Sequence, residues 1–66
     1  MDKVDWLIDS LTKQIAEFIV EDEKIEYDEA LRKLYTSKIF AKLTDKETYL
    51  YREGAAYLYQ YYLEEK

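Results

Sequence analysis

Glu21, Asp22, Glu23 and Glu26 set four carboxylates within six residues, a density at which a calcium ion or an acid–base pair could be served. The run lacks the alternating ligands and central glycine of an EF-hand loop. A solvated loop between two helices accounts for it more simply. The chain has no histidine and no cysteine. Disulfides, zinc sites, thiol nucleophiles and Ser-His-Asp machinery are thereby removed. Catalytic carboxylates are usually perturbed by burial in a cleft, whereas those here fall in charged segments expected to be exposed. We therefore expect a protein that is not an enzyme and needs no metal or cofactor.

Two other sets of side chains carry chemistry. Arg32, Lys33, Lys38, Lys42 and Lys46 could face phosphates if their helices form a helix-turn-helix. The net charge of −5 and the acids among these lysines oppose that use, so nucleic-acid binding is the alternative reading. The eight tyrosines are more unusual. Six of them, Tyr49, Tyr51, Tyr57, Tyr59, Tyr61 and Tyr62, lie within fourteen residues. Tyrosine joins a large apolar ring to a polar tip, which suits half-buried positions and interfaces. A small core could use tyrosine in place of leucine, but one helix in so thin a domain cannot bury rings on every side. Tyr59 lies opposite Tyr57 and Tyr61. These six are the candidate partner-binding residues, and an acidic chain would attract a basic partner surface.

The elements that position these residues can be read from spacing. Sixty-six residues make one domain, spanning 1–66. A chain of that size buries only about 60% of its unfolded surface, so self-association or a partner would add stability. With 48% hydrophobic residues the chain is too apolar to be disordered. It has no proline and a single glycine, which favours helices over hairpins. Val4, Ile8, Leu11, Ile15 and Phe18 form a helical stripe, widened by Trp6, Leu7 and Ile19. A helix is expected from Lys3 to Glu21 with Asp2 as N-cap.

Glu26, Asp28 and Glu29 suit a second helix start. Residues 27–43 read as one helix or as two broken at Thr36-Ser37, with Ser37 capping the second; two is preferred. Thr44 and Glu47 fit a capping box. A last helix is expected from Glu53 to Glu64, with Tyr57, Leu58, Tyr61 and Tyr62 on one face. Alternating tyrosines could instead form a strand, but no partner strand is evident. The fold class is all-α, a single domain of three to four short helices. Its expected core is Trp6, Leu7, Leu11, Ile15, Phe18, Leu31, Leu34, Phe40, Leu43, Leu58 and part of the tyrosine set.

Ser37-Lys38, Leu43, Asp45, Glu47-Thr48, Leu50-Tyr51 and Ala56-Tyr57 resemble the pattern of a group of small uncharacterised bacterial helical proteins, some of which lie beside toxin-like genes. The likeness covers about a third of the chain and includes no catalytic motif. Many of those proteins have glycine where this chain has Tyr49 and proline where it has Lys46. The resemblance implies an antitoxin-like or accessory binding role. The function expected is a non-catalytic protein–protein interaction module, acting on an unknown protein or on a second copy. No run reaches membrane-span length, the start carries charges where a signal peptide would be apolar, and cysteine is absent, so a cytoplasmic location is expected.

Overall fold

The computed structural model describes residues 3–65. Four helices form in chain order: α1 (Lys3–Glu23), α2 (Tyr27–Tyr35), α3 (Lys38–Thr44) and α4 (Ala55–Glu64), with two single-turn 3-10 segments, Lys46–Thr48 and Leu50–Arg52, between the last two. No strand occurs among the described residues: Tyr57, Tyr59 and Tyr61 are helical, and Tyr49 and Tyr51 lie at the cap and the centre of the 3-10 segment before them. Among the described residues no helix is long and apolar enough to cross a membrane. The expected cap Asp2 lies outside the described residues.

Each helix sends at least one side chain to a common centre. Ile15 and Ile19 of α1, Leu34 of α2, Leu43 of α3 and Leu58 of α4 are fully buried there. Ala16, Ala30 and Ala55 are buried beside them and keep the backbones close. Helix α1 is the longest element, and α2 and α4 both pack against it. Its buried face is Leu11, Thr12, Ile15, Ala16 and Ile19. At 3.6 residues per turn, Trp6 points about 150° away from that face, and it is 59% exposed. The expected place for Trp6 in the core is therefore corrected. Leu7, Phe18, Leu31 and Phe40 are only half-buried, on the flanks of their helices.

The break between α2 and α3 rests on one hydroxyl. Ser37 Oγ donates to the Leu34 carbonyl at 2.6 Å and accepts from the Phe40 amide at 3.2 Å. It ends one helix and caps the next, so residues 27–44 form two helices. The expected cap at Thr44 moves by one residue. Thr44 ends α3, and its hydroxyl donates back to the Phe40 carbonyl at 3.0 Å. Asp45 is the cap, its carboxylate accepting from the Glu47 amide at 3.1 Å, and it opens a 3-10 turn in place of an α-helix. Helix α4 begins at Ala55, two residues later than expected.

Two residues other than glycine take the left-handed backbone conformation, Lys24 and Tyr49, both with φ of 57°. Each follows the end of a helix or turn, where glycine is the usual solution. A glycine at either position would suit this geometry. Lys24→Gly is expected to raise the free energy of unfolding by about 1 kcal/mol, read as a higher urea midpoint. Tyr49→Gly should gain less, because it loses the Tyr51 ring at 6.1 Å and the Arg52 guanidinium at 5.7 Å from the Tyr49 ring.

Candidate functional site

The tyrosines of α4 divide by their angle around the helix. Ala55, Leu58, Tyr59 and Tyr62 are buried. They recur at intervals of three, one and three residues and lie on the face toward α1 and α3. Tyr57 and Tyr61 lie outside that face, 50% and 41% exposed. Leu58 and Tyr62 are thus buried without Tyr57 and Tyr61, which the spacing alone had put beside them. The face rotates because α1 ends in acceptors that α4 can reach.

Those acceptors are Asp22 and Glu23. Helix α1 closes on Glu21, Asp22 and Glu23 with no basic residue in its last turn. Negative charge at a helix C-terminus opposes the helix dipole. Three donors from other helices compensate. Tyr59 Oη donates to Asp22 at 2.5 Å, Tyr62 Oη to Glu23 at 3.3 Å, and Lys33 Nζ to Glu23 at 2.6 Å. Glu23 therefore ties the end of α1 to both α2 and α4. The Phe18 ring stacks on Tyr59 at 5.3 Å, and Tyr59 on Tyr62 at 5.8 Å. Burial of Tyr59, then its hydrogen bond to Asp22, pushes its phenol well above the ordinary tyrosine range. The hydrogen bond to Glu23 raises Lys33.

The carboxylate run singled out in the sequence is accordingly half structural. Asp22 and Glu23 serve the helix junction, while Glu21 and Glu26 are exposed. No group of three or more carboxylates able to hold a metal occurs among the described residues. No local pattern states which carboxylates the tyrosines meet. The available signal was the misplacement of acids at the C-terminus of α1.

The other four candidates have separate settings. Tyr57 and Tyr61 meet edge to face at 5.3 Å with an interplanar angle of 74°, and their hydroxyls are 3.2 Å apart. That hydrogen bond is the largest cause holding the Tyr57 phenol above its ordinary range. Glu53 and Glu64 add negative potential there. On the segment before α4, Tyr49 is exposed under the Arg52 guanidinium and Tyr51 is half-buried. Of the six candidates, Tyr49, Tyr57 and Tyr61 present their rings to solvent. Tyr59 and Tyr62, 7% and 5% exposed, are removed from the contact set because the α1 junction holds them.

Two of the five basic residues that could face phosphates are engaged by carboxylates. Lys33 is paired with Glu23, and Lys46 with Asp5 at 2.9 Å. Glu65 closes the end of α3 that a recognition helix would turn toward bases. Its carboxylate accepts from the Lys38 and Ile39 amides at 2.7 Å and 2.9 Å. This contact joins the C-terminus of α4 to the N-terminus of α3 across 26–27 residues of sequence. Glu65→Ala is expected to lower stability by about 1 kcal/mol, and Glu65→Gln by less because an acceptor oxygen remains. Thermal melting of the three proteins checks the order.

Comparison with protein-family models, curated proteins and solved structures finds no match to this chain.

Proposed function

We propose that this chain is a non-catalytic protein-binding module whose contact surface is centred on the outer face of α4. The observation that carries the reading is the pair Tyr57 and Tyr61. Two large rings stand half-exposed beside each other on a helix whose other face is already committed to the core. Exposed aromatics of this kind are where binding energy concentrates at interfaces. Their exposure is not needed for folding, since Leu58, Tyr59 and Tyr62 attach α4 to the remainder.

The nucleic-acid reading has less support. Its candidate recognition helix has only seven residues and meets the Glu65 carboxylate at its N-terminus. That carboxylate would repel a phosphate or base-edge acceptor there. The likeness of residues 37–57 to small bacterial helical proteins extends the proposal to an antitoxin-like or accessory role in the cytoplasm. A second copy remains the other occupant to test against a foreign partner.

The test is affinity capture from native cells with the wild-type protein and with Tyr57→Ser/Tyr61→Ser as paired baits. A partner held by the wild type and lost with the double variant supports the proposal. Equal capture by both overturns the placement of the surface.

A further inference from the structure

The outer strip of α4 has a chemistry beyond its apolar rings. Glu53 precedes Tyr57 by four residues and Glu64 follows Tyr61 by three. At 3.6 residues per turn, Tyr57, Tyr61 and Glu64 share one side of the helix, and Glu53, in extended backbone just before α4, lies near enough to Tyr57 for its charge to act on that phenol. Gln60 lies between Tyr57 and Tyr61, exposed and uncharged. Among the described residues, neither Glu53 nor Glu64 is ion-paired and no cation stands against the Tyr57 or Tyr61 ring.

The same protein shows what completes such a surface. At Tyr49 the Arg52 guanidinium lies over an exposed tyrosine ring, 5.7 Å from its centroid. A guanidinium is planar and weakly hydrated, so it stacks on an aromatic face and still reaches a carboxylate. The strip on α4 has the ring and the carboxylates without the cation.

We infer that the Glu53–Tyr57–Tyr61–Glu64 strip docks an arginine-bearing segment of a partner protein, the guanidinium stacking on a tyrosine and pairing with a flanking glutamate. This rests on the reading of α4 as the contact surface and adds the chemistry of its occupant. Charge selects the occupant. The chain carries −5, so a second copy would bring acids against acids across this face. A basic segment would be steered toward it.

The experiment uses nitrogen-15-labelled full-length protein and three capped hexapeptides, of arginine, lysine and glutamate. Hexa-arginine should give saturable shifts in the backbone and ring signals of residues 53–64. It should bind roughly threefold tighter than hexa-lysine, from the better stacking of guanidinium, and hexa-glutamate should not bind. Tyr57→Ala/Tyr61→Ala, checked for folding by circular dichroism, should remove the arginine preference. Glu53→Gln/Glu64→Gln should weaken both cationic peptides.

Shifts centred on residues 21–29, or equal arginine and lysine binding that survives loss of the tyrosines, would overturn the inference. So would shifts of the strip that depend on protein concentration with no peptide added, which would mark a second copy as occupant. The paired-bait capture separates this inference from the reading beneath it. Tyrosine-dependent capture undiminished at about 0.5 M salt, where exposed charge pairs are screened, leaves the contact surface standing and sinks its basic partner. Capture indifferent to the tyrosines sinks both.

Discussion

Tyr59→Ala should leave this protein largely unfolded at 37 °C, while Tyr57→Ala/Tyr61→Ala should melt close to the wild type. The residues are neighbours on one helix and identical in type, so only their surroundings differ. Tyr59 is buried, stacked between Phe18 and Tyr62, and bonded to Asp22. Truncating a buried aromatic costs about 3–5 kcal/mol. It would also leave the Asp22 carboxylate at the C-terminus of α1 without that donor. A domain of this length has only a few kcal/mol to lose. Tyr57 and Tyr61 are half-exposed and meet edge to face, and exposed substitutions of that kind usually stay within about 0.5 kcal/mol apiece. Tyr59→Phe should fall between these extremes. It keeps the packing and loses one hydrogen bond to a charged group, about 1.5–3 kcal/mol. Urea denaturation followed by circular dichroism ranks the four proteins.

Alkaline solution should unfold the protein by the same contacts. In the folded state the Tyr59 phenol is held above its ordinary value, by burial and by its bond to Asp22. A raised value means that the fold favours the protonated phenol. The resulting stabilisation is whole below the unfolded-state value of about 10 and declines as the pH climbs above it. Lys33 has the same sign, since its bond to Glu23 favours the ammonium over the free amine. It is exposed and contributes less. Stability should therefore be flat through neutral pH and fall from about pH 10 upward. In Tyr59→Phe the alkaline decline should be shallower, although the protein starts less stable. An unchanged slope in that variant would show that Tyr59 is not the group responsible. Urea midpoints between pH 7 and pH 11 measure it.

How far the sequence carries depends on whether the deciding contact is local. The helix break at Thr36-Ser37 was legible because its cause, the Ser37 hydroxyl between Leu34 and Phe40, lies within six residues. The stripe of α1 was legible in its centre, Leu11 and Ile15, and misleading at its edge. Trp6 is apolar but faces away from α2 and α4, and no periodicity states where those helices will pack. The capping box after α3 was legible only to within one residue, because Thr44 and Asp45 are both competent caps and the backbone direction chose Asp45.

The candidate site was legible as a set of six tyrosines and not as two faces. Tyr59 and Tyr62 were drawn inward by carboxylates 37 and 39 residues away. That pairing appears only once α1 and α4 lie side by side. The same distance hides the role of Glu65, whose partners at Lys38 and Ile39 are no part of its local pattern.

The central claim is that α4 uses Tyr59 and Tyr62 to hold the fold and leaves Tyr57 and Tyr61 for a partner. Tyrosine nitration, mapped by mass spectrometry on the free protein and on the captured complex, tests it most directly. In the free protein Tyr57 and Tyr61 should react readily while Tyr59 and Tyr62 stay unmodified. In the complex Tyr57 and Tyr61 should become protected, with the exposed Tyr27 and Tyr35 still reactive. Free-protein nitration at Tyr59, or undiminished nitration of Tyr57 and Tyr61 in the complex, would contradict it.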